Sequence, residues 1–71
     1  MRFSVGDRVK WNWGNGEGTG EIVERFDSDV THQIKGTEVS RNASKDEPAF
    51  MIEQDDGARV LKSCTELEHA N

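Results

Sequence analysis

Apolar and polar residues alternate along several stretches of this chain with the two-residue period of half-buried β-strands. After a turn at Gly6-Asp7, Val9, Trp11 and Trp13 alternate with Lys10 and Asn12, which predicts a first strand over Arg8 to Trp13. Gly14, Gly16, Gly18 and Gly20 then alternate with polar residues and predict a loop, because glycine adopts backbone angles that other residues resist. A second strand follows over Glu21 to Phe26. Ile22, Glu24 and Phe26 share one face and Val23 and Arg25 the other, so both faces are partly apolar, as in a strand bending around a small barrel.

Ala49 to Gln54 reads as a third strand. Asp56-Gly57, flanked by Asp55, is a favoured hairpin dipeptide, and Ala58 to Lys62 is expected to return antiparallel. Ser63-Cys64-Thr65-Glu66 has the spacing of a capping box and predicts one short helical turn near the C-terminus, with Leu67 packed inward. The 22 residues from Asp27 to Pro48 are too many to stay unstructured in so small a domain. Val30, His32 and Ile34 alternate, as do Thr37, Val39 and Arg41, with Lys35-Gly36 between them, so a short irregular hairpin or an edge strand is expected there. Pro48 precedes the third strand, where it interrupts no ladder. The pattern is that of an all-β barrel of about five short strands. Its expected core is Val9, Trp11, Ile22, Val23, Phe26, Ile52, Val60, Leu61 and Leu67, with residues 1–3 and 69–71 fraying.

Composition sets the scale. With 71 residues and 8.0 kDa there is room for one domain, residues 1–71. Leu, Ile, Val and Phe number only 14 of 71, so the core must be small, and barrel closure lets few apolar residues suffice by removing exposed sheet edges. The longest apolar run is Ala49 to Ile52, which excludes a membrane-spanning helix, and no signal core follows Met1. A cytoplasmic protein is expected, in which the lone Cys64 has no disulfide partner. The net charge is −5 and the pI about 4.9, a handicap for a nucleic-acid binder, whose affinity comes largely from Lys and Arg on phosphates. The acid is concentrated in residues 37–71, with four bases against eight acids.

Candidate chemistry is sparse. The glycine run is followed by a strand rather than a helix, so it is not a phosphate loop. Cys64, His32 and His69 lack the spacing of a zinc site, and no metal or cofactor is expected. Cys64 has no evident activating base, the acids Glu53, Asp55 and Asp56 beside the turn read as a solvated cluster, and the sequon Asn42-Ala43-Ser44 has meaning only on secretion. Trp11 and Trp13 share a face that a small barrel seldom encloses completely. Trp11 reads as core, while Trp13 stands between core and barrel mouth. At the mouth, with Phe26 or Phe50 nearby, it forms a pocket for a flat or cationic group.

Taken together, the segments resemble the family of hypervirulence-associated Tudor domains. The resemblance rests on Gly6-Asp7-Arg8-Val9-x-Trp11-Asn12-Trp13-Gly14 and Gly18-x-Gly20. It continues in Lys35-Gly36-Thr37-Glu38-Val39-x-Arg41-Asn42-Ala43-Ser44, Pro48-Ala49 and Ile52-Glu53-Gln54-x-Asp56-Gly57-x-x-Val60-Leu61-Lys62-Ser63. It implies a Tudor-like, SH3-like barrel and a single-domain protein, and brings no catalytic residues and no ligand. Tudor domains in general recognise methylated lysine or arginine in an aromatic cage usually containing tyrosines; this chain has no tyrosine, so that role does not carry over. The opening Gly6-Asp7-Arg8-Val9 is also similar to the plasmid-borne dihydrofolate reductase. That enzyme's Val-Gln-Ile-Tyr strand is here Val60-Leu61-Lys62-Ser63, so the enzymatic motif is missing.

The expected class is therefore a non-enzymatic binding module for a protein or peptide. Its binding residues are expected at the barrel mouth: Trp13, Asn15, Glu17, Lys35, Thr37, Arg41 and Asn42. In the competing view Lys35 to Ser44 merely covers a sheet edge, with Arg41 pairing Glu38 or Glu53. The alternative class is a nucleic-acid-associated barrel using Lys10, Arg25, Arg59 and Lys62 as a local basic face; an enzyme assembled by oligomerisation ranks behind both.

Overall fold

The computed structural model describes residues 3–70, which form β1 (Arg8–Trp13), β2 (Gly16–Phe26), β3 (Val30–Ile34), β4 (Thr37–Arg41), β5 (Ala49–Glu53), β6 (Arg59–Ser63), a 3-10 turn (Cys64–Glu66) and β7 (Glu68–His69). Five strands build one antiparallel sheet in the order β6-β5-β2-β1-β7, and β3 and β4 form a separate two-stranded ribbon. The all-β, barrel-like architecture is the expected one. It has more strands than the expected five because the 27–48 segment makes a complete hairpin and the chain end pairs with β1.

The strand that organises the barrel is β2. Its first half, Gly16 to Glu21, pairs with β1, and its second half, Glu21 to Phe26, pairs with β5. A bulge between Ile22 and Glu24 bends it, as an extra residue in one strand does. Apolar residues lie on both faces as expected, but past the bulge Phe26 joins Val23 and not Ile22, contrary to the simple alternation. Ile22 packs with Val9, Trp11, Phe50 and Ile52 on one side of the sheet, whereas Val23 and Phe26 pack with Ala49, Met51 and Leu61 on the other. β5 lies between the two clusters and is buried on both faces from Ala49 to Ile52.

The expected loop from Gly14 to Gly20 is a strand for most of its length. Only Gly14 and Asn15 form the turn, with Trp13 opposite Gly16 and Gly14 at φ +53°. The later glycines supply space rather than flexibility. A Cβ on Gly18 would lie 2.5 Å from the Trp11 indole, and one on Gly20 would lie 2.6 Å from the Glu53 carbonyl oxygen.

Of the expected core, Val9, Trp11, Ile22, Ile52, Leu61 and Leu67 are buried, while Val23, Phe26 and Val60 are half-buried. Phe3, Ala49, Phe50 and Met51 complete the interior. Phe3 was expected to fray but is core: its ring meets Phe50 edge-on at 5.9 Å and lies 4.6 Å from the His69 ring. His69 is likewise held, in β7 opposite Val9, and the Ala70 amide donates to the Arg8 carbonyl at 3.1 Å. Met1, Arg2 and Asn71, the rest of the expected fraying, lie outside the described residues. The hairpin after β5 is anchored by the Gln54 amide on the Ala58 carbonyl, with Gly57 at φ +87° in the turn. The capping box forms as predicted: Ser63 Oγ accepts from the Thr65 amide and Glu66 Oε1 from the Ser63 amide.

Candidate functional site: a groove at the seam of the barrel

The 27–48 segment builds one wall of the site. It is a regular ribbon, not an irregular one, with Val30 opposite Arg41, His32 opposite Val39 and Ile34 opposite Thr37. Lys35 and Gly36 form its two-residue turn, both at positive φ (52° and 78°), the geometry that matches strand twist. Its base is tied down by the Ala43 amide on Asp29 Oδ1, the Glu47 amide on Ser44 Oγ and the Cys64 amide on the Pro48 carbonyl. Val30, Ile34 and Val39 pack against the Ala49, Met51 and Leu61 cluster. This puts β4 against β6, yet among the described residues no ladder joins the two strands.

A groove of about 360 Å³ opens along that seam. Trp11 and Trp13 line it from β1, Ile34 and Val39 from the ribbon, and Val60 and Leu61 from β6. The two tryptophans divide their roles. Trp11 is 4% exposed and belongs to the core, whereas Trp13 is 66% exposed and stands at the mouth. The phenylalanines expected beside it are elsewhere: Phe50 is fully buried, and Phe26 packs near the His32 ring.

The polar lining is Gln54, Arg41, Arg59 and Lys62, with no carboxylate among the residues facing the opening. The acids that balance these cations stand behind them. Arg41 Nε donates to Glu66 Oε1 at 2.8 Å, Lys62 Nζ lies 3.8 Å from Glu66 Oε2, and Arg59 lies 3.9 Å from Glu53. Arg41 thus pairs with neither Glu38 nor Glu53, because the approach of β4 to β6 brings it to the 3-10 turn that follows β6. Partial burial pushes the Glu66 carboxyl up, but the Arg41 hydrogen bond, the Ser63 amide and the charges of Arg41 and Lys62 outweigh it. The net effect holds Glu66 below its ordinary range.

Two of the seven residues singled out from sequence, Trp13 and Arg41, meet in this groove. Thr37 pairs with Ile34 at the ribbon end. Lys35 is at the turn and lines a neighbouring depression with His32 and Met51. Asn15 is exposed in the β1–β2 turn, Asn42 is exposed just past β4, and Glu17 sits in β2, 4.0 Å from Lys10. The four bases of the alternative face do not converge. Arg59 and Lys62 line the groove, whereas Lys10 lies beside Glu17 and Arg25 is hydrogen-bonded to Asp27 at 2.6 Å, away from it. Sequence reading missed Ile34 and Val39 as groove residues. Their alternation was visible, but which face of the ribbon would meet β6 was not.

Among the described residues no group of three or more His, Cys, Asp or Glu side chains is arranged to hold a metal ion, and no helix is long and apolar enough to cross a membrane. The sequence profile of the family described as hypervirulence associated proteins TUDOR domain matches residues 6–67. No curated protein and no solved structure matches the chain.

Proposed function

The chain belongs to the family of hypervirulence-associated Tudor domains, and from that premise we propose that it is a non-enzymatic module that binds a protein or peptide in the groove between β1, the β3–β4 ribbon and β6. The observation that carries this reading is Trp13. In a domain with so small a core, an indole 66% exposed over an apolar opening has no folding role that explains it, and aromatic side chains at such openings are common anchors of binding. The seam between β4 and β6, which no ladder closes among the described residues, adds a second element, since it is where the groove opens. Nucleic acid is the weaker candidate because Lys10 and Arg25 add nothing to the groove.

The test compares Trp13→Ala with Trp11→Ala. Truncating Trp11 removes a core indole and is expected to cost about 3–5 kcal/mol, enough to unfold most of the population of so small a domain. Trp13→Ala is expected to remain folded, losing about 1 kcal/mol or less, because most of its surface is already in water. A partner captured from the native cell, added to isotope-labelled protein, should shift the amides of β4 and β6 in wild type and lose affinity for Trp13→Ala. Normal binding by a folded Trp13→Ala would defeat the site.

A further inference from the structure

We propose that the groove recognises a short acidic peptide segment, with a carboxylate side chain docking on Arg41 and Lys62 and an adjacent aromatic or branched apolar side chain lying against Trp13. This rests on the reading of the groove as the binding surface and adds the chemistry of its ligand.

The first argument is charge. The chain carries −5 overall, and residues 37–71 hold eight acids against four bases, yet three of those four bases, Arg41, Arg59 and Lys62, line one opening whose lining holds no carboxylate, and they share only two carboxylate partners, Glu66 and Glu53. An opening lined this way repels a methylated lysine or arginine and attracts an anion. The second argument is that Glu66 already shows the docking geometry: one carboxylate spans Arg41 at 2.8 Å and Lys62 at 3.8 Å from the edge of the groove, with its side chain still 35% exposed. Glu66 acts as a built-in competitor, holding two of the three cations until a ligand carboxylate shares them. The third argument is size: a cavity of about 360 Å³ is at the small end of ligand sites, suited to one anchoring side chain and its neighbour. A longer polyanion fits poorly, because Glu53 stands 3.9 Å from Arg59 and opposes a further phosphate there.

The experiment titrates the folded domain with capped peptides in which one phenylalanine is flanked by aspartates, by asparagines or by trimethyl-lysines, and with single-stranded oligothymidine. Tryptophan fluorescence and amide shifts are the readouts. The aspartate peptide is expected to bind about tenfold more tightly than the asparagine peptide and to shift amides of β4 and β6. Glu66→Gln keeps a residue able to complete the capping box while freeing Arg41 and Lys62, so it should tighten binding of the aspartate peptide severalfold. Arg41→Gln, and independently Arg59→Gln on the far side of the groove, should weaken it. Equal binding of the aspartate and asparagine peptides, tighter binding of the trimethyl-lysine peptide or of oligothymidine, or weaker binding by Glu66→Gln overturns the acidic assignment. If a neutral or cationic peptide shifts the same amides with affinity equal to or higher than that of the aspartate peptide, the groove stands as the binding surface while its ligand chemistry falls. If no peptide perturbs the groove, both fall.

Discussion

Alanine substitutions along the glycine run of β2 should have opposite signs at neighbouring positions. At Gly20 a new Cβ would sit 2.6 Å from the Glu53 carbonyl oxygen and 2.7 Å from Ile52 Cγ2, where ordinary contact begins at 3.4 Å. Relief requires β2 and β5 to part by about 0.8 Å in the middle of the sheet, because the nearest obstacle is backbone and cannot swing aside. Overpacking of this kind costs about 1–3 kcal/mol, and the reduced freedom of the unfolded alanine chain returns only about 0.4–1. A net loss of about 1.3 kcal/mol follows at the middle of these ranges, against a total stability of about 4–10 kcal/mol for a domain of this length. At Gly18 the obstacle is the Trp11 indole at 2.5 Å, a core ring only 4% exposed that gives up its packing if it moves, so a similar loss is expected. At Gly16 nothing lies within 4 Å and φ is outside the left-handed region, so alanine should be neutral or stabilising by up to about 1 kcal/mol. Urea unfolding followed by tryptophan fluorescence measures all three. With a slope of about 1 kcal/mol per molar, Gly20→Ala should lower the midpoint by about 1.3 M. If all three variants unfold near the wild-type midpoint, the run is the flexible loop that its sequence suggests and the packing of β2 described above is wrong.

Two further outcomes follow from local geometry. Lys35 is a side-chain-bearing residue at φ 52° in a turn whose geometry favours Asn-Gly, so Lys35→Asn should raise the urea midpoint, with a gain of about 0.5–1 kcal/mol. Glu66 titrates below its ordinary value of 4.5 when folded, so its contribution is fully present above that value and is lost as pH falls through the folded one. Acid unfolding of Glu66→Gln should therefore show a shallower loss than wild type below about pH 4.5, by about 0.2–1 kcal/mol for each partly exposed ion pair. Parallel curves would remove Glu66 from the linkage.

What was legible in the sequence was whatever depends on near neighbours. The alternation of Val9, Trp11 and Trp13, the pairing of residues 49–53 with 59–63 around Gly57 and the Ser63–Glu66 capping box are all written within a few residues, and each forms. The misread features depend on residues that only the fold brings near. Gly18 and Gly20 look like a loop until the Trp11 ring and the Glu53 backbone are placed over them. Phe3 looks frayed until Phe50 and His69 close on it. The acid partner of Arg41 lies 25 residues away, on the turn after β6, where no local spacing points.

The features that folding does not explain gather around one opening. A chain with only ten buried hydrophobic residues among those described gains nothing by leaving Trp13 in water or by failing to ladder β4 to β6. Pairing those two strands would satisfy backbone groups and cover Val39 and Val60, which stand half-buried at the seam. Three of the four cations of residues 37–71, Arg41, Arg59 and Lys62, are collected on this groove, while their carboxylate partners Glu66 and Glu53 stay out of its lining. Each departure taken singly is a small loss tolerable in any protein. Their coincidence at the same groove is what the proposed binding surface requires: an apolar anchor, an unladdered seam and a lining of cations whose carboxylate partners stand outside it.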